Sequence, residues 1–116
     1  MQLDTVVTAY LECALWSSTG EEGEPLDDTY SMDDFAPEAT QAARVACADF
    51  LAMNRDDLES LDAAQVGHDF WLTRNGHGAG FWDRVLGEVG ERLTANTRPY
   101  GTVDVYVGDD GKLYIS

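Results

Sequence analysis

No cation occurs in the first 43 residues of this 116-residue chain: Arg44 is the first, and Lys112 is the only lysine. Seven bases face 22 acids, for a net charge of −15. So few and so scattered cations exclude a phosphate-binding surface, and direct nucleic-acid contact is not expected. Without a Gly-Lys-Ser/Thr triplet there is no phosphate-cradling P-loop. No run of 18 apolar residues is present, so no membrane span is expected. Asp4 stands where a secretory leader carries positive charge, which points to the cytoplasm of the cell that makes the chain. Two cysteines and two histidines do not form a zinc pattern. Cys13 and Cys47 are expected to be buried free thiols, since a disulfide is unusual in that compartment. No cofactor or metal is expected.

The chain is long enough for one domain with its own core. Hydrophobic residues make up 44%, and three Trp, five Tyr and four Phe argue against disorder throughout. Charge is graded along the length. Residues 1–43 contribute −10, residues 44–69 contribute −4 and residues 70–116 contribute −1. Adaptation to high salt would spread acids over every surface, and the near-neutral C-terminal part disfavours it. Simple solubility accounts for an acidic surface but not for clustering. A docking face for a basic partner predicts clustering.

The pattern predicts an α+β domain over 1–116, with about four helices and a C-terminal hairpin or small antiparallel sheet. Leu3, Val6, Val7, Tyr10, Leu11, Ala14 and Leu15 recur at helical spacing, and Ser17, Ser18 and Gly20 end that helix. Gly20–Asp34 follows, with seven acids in fifteen residues mixed with Gly and Pro; it reads as an acidic surface loop. Leu26, Tyr30 and Met32 are expected to pin it to the body. Ser31 and Asp34 have capping-box spacing, and Pro37 suits the first turn of a helix running to about Asn54. Ala39, Ala43, Ala46, Phe50 and Met53 are expected on its packed face. Arg55–Asp62 reads as a polar connection. Asp62 and Gln65 predict the start of a third helix through Phe70, Trp71 and Arg74, stopped at Asn75 and Gly76. A fourth helix is predicted from Phe81 or Trp82, with Trp82, Leu86, Val89 and Leu93 on one face. Val103, Val105 and Val107, the Gly108–Gly111 turn, and Leu113 and Ile115 predict a hairpin over about 102–115. Alone it is marginal, so it must pack on the helices, gain a strand, or pair with another subunit.

Gly67–Arg84, GHDFWLTRNGHGAGFWDR, holds both histidines, two Phe-Trp pairs and four glycines. His68, Asp69 and Arg74 offer an acid–base reading, with Asp69 orienting an imidazole. His68 and His77 lack the three- or four-residue spacing of metal ligands on one helix. The competing reading is structural: the glycines allow a tight reversal, and Phe70, Trp71, Phe81 and Trp82 pack as an anchor. Arg74 and Arg84 would then pair with Asp69 and Asp83 or cap carbonyls. Gly76, Gly78 and Gly80 do not make a dinucleotide fingerprint, because Phe81 stands where its third glycine belongs. Asp109-Asp110-Gly111 lacks the ligand ladder of a calcium loop and reads as a turn.

This stretch, YLECALWSS near the start and YVGDDGKLYIS at the end resemble a group of small acidic proteins encoded by bacteriophages and prophages. The similarity covers most of the chain. It implies a phage setting and a small single domain, and brings no catalytic residue with it. With the charge gradient, it suggests an inhibitor of a host defence or other nucleic-acid-binding complex, of anti-CRISPR or anti-restriction type. Glu21, Glu22, Glu24, Asp27, Asp28, Asp33 and Asp34 would meet a basic surface, with Tyr30 or Met32 as anchors. The alternatives are a small phage enzyme using His68, Asp69 and Arg74, and a non-catalytic homo-oligomeric accessory protein. The balance leans against an enzyme.

Overall fold

A computed structural model describes residues 1–76, 80–83 and 86–116. Its elements are α1 (Leu3–Ser17), α2 (Pro37–Met53), α3 (Arg55–Leu58), α4 (Ala63–Arg74), α5 (Glu88–Thr97), β1 (Val105–Val107) and β2 (Leu113–Ile115), with four short 3-10 turns between them. The arrangement is α+β, and the chain measures 42 × 25 × 22 Å. None of the described helices is long and apolar enough to cross a membrane.

The core forms where α1 lies across α4 and α2. The helical stripe of α1 is buried as its spacing requires, from Val6 through Leu15. Gly67 sets the closeness of the α1–α4 crossing: a Cβ there would lie 2.2 Å from the Val6 carbonyl oxygen and 3.0 Å from Ala9 Cβ. Phe50 of α2 stacks on Phe70 of α4 at 4.3 Å and on Phe81 at 5.6 Å, and Tyr10 meets Trp71 edge-on at 5.2 Å. Offset and edge contacts of this kind add to the burial of large rings. Both cysteines lie in this core as free thiols. Burial is the leading cause of pushing each thiol up to about 12.

The local stop and start signals are observed. Asp62 Oδ2 accepts from Gln65 N–H at 3.0 Å and caps α4. Asn75 ends α4 with Gly76 beyond it at φ 70°. Pro37 opens α2.

Several expectations are corrected. Met53 does not belong to the packed face of α2: it is 56% exposed, while Cys47, expected as a buried thiol, is buried on that face. The 55–62 connection contains the helical turn α3, held by buried Leu58. Phe81–Asp83 is a 3-10 turn, and the fourth long helix begins only at Glu88. Gly87 precedes it at φ 60°, ψ −132°, a conformation no helix continues through and one that favours glycine. Trp82 is therefore not on the buried face of α5: it is 54% exposed, while Phe70, Trp71 and Phe81 are buried.

The hairpin pairs Val105 with Ile115, Tyr106 with Tyr114 and Val107 with Leu113. Of its alternating valines, Val105 is buried and Val107 is 40% exposed. The hairpin is supported within the chain: Leu113 is fully buried, and its carbonyl accepts from Ala36 N–H at 2.9 Å, so Phe35 and Ala36 cover the outer edge of β2.

Candidate functional site

The acidic segment is tied down at both ends and in the middle. Gly20 N–H donates to the Glu24 carbonyl at 2.8 Å, and Gly23 N–H to the Gly20 carbonyl at 3.0 Å. Gly23 supplies the φ of 84° that this reversal requires, and Glu21 and Glu22 stand at its tip. Leu26 N–H donates to the Ser18 carbonyl at 3.1 Å while its side chain is buried. That contact anchors the loop to the end of α1. Tyr30 and Met32 are half-buried and pack against the core, as pins do. Ser31 N–H donates to Asp34 Oδ2 at 2.8 Å, and Phe35 then joins β2.

The consequence is an ordered scaffold presenting charge outward. Glu21, Glu22, Glu24, Asp27, Asp28 and Asp33 are exposed, and Asp34 is half-buried. Among the described residues, the ion pairs form elsewhere: Arg44 with Asp4 at 2.6 Å, and Arg92 with Asp57 at 2.7 Å and Glu88 at 3.9 Å. None of the loop carboxylates is neutralised by a described cation. Arg92 is the leading cause of holding the Asp57 carboxyl below its ordinary value, which shows what pairing does where it occurs.

Among the described residues, the contacts of His68, Asp69 and Arg74 run to other side chains and carbonyls. Asp69 is buried and accepts from Gln65 Nε2 at 3.1 Å. His68 Nδ1 is buried without a hydrogen-bond partner, so no carboxylate orients the ring through that atom. The imidazole instead lies 5.9 Å from the ring of Trp16. Arg74 donates Nη2 to the Tyr100 carbonyl at 2.7 Å, Nε to the Gly101 carbonyl at 2.9 Å, and Nη1 to Tyr10 Oη at 3.0 Å. It thus caps carbonyls and lies over the Phe70 and Tyr100 rings. His77, Gly78, Ala79 and Arg84, and the side chain of Asp83, lie outside the described residues. No metal-holding group of His, Cys, Asp and Glu occurs among the described ones.

Two surface features escaped the sequence reading. Trp16 is 62% exposed where the acidic loop leaves α1. Its signal was present: it continues the outward i, i+4 row of Thr8 and Glu12, not the buried stripe. The second is which hairpin edge stays open: pairing at the hairpin is expected from sequence, but that β1 is the uncovered strand depends on which one the rest of the chain covers. No protein-family model matches this chain, and comparison with curated proteins and with solved structures likewise gives no match.

Proposed function

We propose that this chain is a phage-encoded inhibitor of a host nucleic-acid-binding complex, of anti-CRISPR or anti-restriction type, acting through an acidic surface that stands in for DNA. The observation that carries the reading is the loop at 20–34: held by backbone hydrogen bonds and buried Leu26, with its carboxylates outward and unpaired by any described cation. A surface meant only for solubility has no need of a fixed backbone beneath it. The long dimension of 42 Å corresponds to about 25 phosphate charges of duplex DNA. The 22 acids of the chain are of that order counted over all its faces, and those on one face are fewer. The resemblance to small phage proteins supplies the setting.

The inhibition is competitive. Loop carboxylates meet Lys and Arg that otherwise hold phosphates, association is fast, and added salt weakens it. The complex is held by charge and excludes DNA without chemistry. The enzyme reading is weaker, because Arg74 is occupied by two carbonyls and a tyrosine hydroxyl.

Changing Glu21, Glu22, Asp27 and Asp28 together to Lys tests the proposal. All four are exposed, so folding is retained. The variant is expected to lose capture of a nucleic-acid-handling complex from a host lysate at low salt. Undiminished capture and inhibition by the folded variant would reject the loop as the contact.

A further inference from the structure

The hairpin has one covered edge and one open edge. Asp104 and Ser116 exchange both backbone hydrogen bonds, at 2.9 and 3.0 Å, and Gly108 N–H donates to the Lys112 carbonyl at 2.8 Å. In an antiparallel ladder, bonded pairs alternate with pairs whose N–H and C=O groups point away. Asp104, Tyr106 and Gly108 therefore face β2, while Val103, Val105 and Val107 direct their backbone groups outward. On the β2 side, the outward groups of Leu113 meet Phe35–Ala36. On the β1 side, Val103 N–H is taken by Asn75 Oδ1 at 2.8 Å. Beyond it, Val105 and Val107 have no backbone partner on that edge among the described residues.

That edge is not bare surface. Thr102–Val105, Ser17–Thr19, Trp71 and Asn75 enclose a groove of about 410 Å³. Ser17, Ser18 and Thr19 line it together with the strand; Ser17 Oγ accepts from Trp71 Nε1 at 2.9 Å, and Ser18 Oγ donates to the Ala14 carbonyl. Among the described residues the groove's only charged lining residue is Asp104, and Asp109 and Asp110 stand exposed on the adjoining turn.

We infer that this groove accepts an extended, Lys/Arg-bearing segment of a partner protein as an added strand on β1. Backbone groups of Val105 and Val107 supply the pairing. Asp104 and Asp109 select basic side chains flanking it, while the Asp110 carboxylate is held by Lys112 N–H and Tyr114 Oη. A second copy of this chain is the poorer occupant. It would bring acids against acids, with −15 on each chain. The inference goes beyond the DNA-mimic reading and does not rest on the loop carboxylates.

The test uses an acetylated, amidated Val-Lys-Val-Lys-Val-Lys peptide and the full chain, followed by amide NMR. Saturable shifts are expected at Val105, Val107 and Ser17–Thr19. The same peptide N-methylated throughout keeps its charge but cannot pair, and should bind at least tenfold more weakly. Val107→Pro removes an outward donor and none of the hairpin's own bonds, so it should keep the fold and lose binding to a similar degree. The loop variant with Lys at 21, 22, 27 and 28 should keep the edge shifts, which separates failure of this inference from failure of the loop proposal. Equal binding of the N-methylated peptide, shifts confined to residues 20–34, or no saturable shift would overturn it. So would a peptide-free dimer that Val107→Pro dissociates, since it would show a second copy occupying the edge.

Discussion

Replacing Arg74 with Met separates a structural arginine from a catalytic one. Met keeps an unbranched stem against Phe70 and Tyr100 but removes three donated bonds, to the Tyr100 and Gly101 carbonyls and to Tyr10 Oη. A hydrogen bond from a charged donor contributes about 1.5–3 kcal/mol when buried. These are half-exposed, and water replaces part of what is lost. About 1 kcal/mol for each gives a destabilisation of about 3 kcal/mol. For 116 residues, an unfolding entropy of roughly 0.24 kcal/mol/K converts this to a Tm lower by about 12 °C. Arg74→Lys keeps the charge but not the planar fork, and should fall between the two. Thermal unfolding followed by circular dichroism reads both. A Met variant melting within about 2 °C of the parent would refute the account of Arg74 as the tie between α4 and the 100–101 segment.

Gly67→Ala should destabilise by about 2 kcal/mol in urea titration, because overpacking against the Val6 carbonyl outweighs the roughly 1 kcal/mol helix preference for Ala; a stabilised variant would contradict the close crossing. Cys13 and Cys47, with thiols near 12, should resist a disulfide reagent at pH 8 in the native state and react once unfolded. Prompt native reaction would contradict their burial. In a 295 nm titration, Tyr10, Tyr100 and Tyr114 should ionise above 10. Burial is the leading cause for Tyr10 and Tyr100, and the bond to Asp110 is the leading cause for Tyr114, which is pushed up to about 12. Because the fold holds these phenols protonated, their stabilising contribution is present below pH 10 and is lost as pH rises toward 12. Stability that increased over that window would contradict the assignment.

What was legible in the sequence is what local chemistry decides. The α1 stripe, the Asp62 cap, the Pro37 start and the hairpin turn each depend on residues a few positions apart. The acidic loop was legible from composition, and its pinning by Leu26, Tyr30 and Met32 from apolar residues scattered among acids. The errors fall where distant parts of the chain choose. Met53 has the right spacing for the α2 core face, yet it is exposed at the end of the helix. Gly87 looks like a weak point inside a helix until its positive φ makes it the boundary. The partners of Arg74 are 26 to 64 residues away, and no local pattern pairs a helix C-terminal arginine with Tyr10 and the 100–101 carbonyls. The open edge of β1 is hidden for the same reason, since it follows from Phe35 covering the other strand.

The most direct measurement of the central claim is the salt dependence of affinity between the chain and the complex it captures, with duplex DNA as competitor. The loop account predicts that affinity falls steeply as salt rises from about 50 to 200 mM, the range over which phosphate contacts are screened. It also predicts that DNA and this chain exclude one another. Affinity indifferent to salt, or a ternary complex holding both, would contradict it.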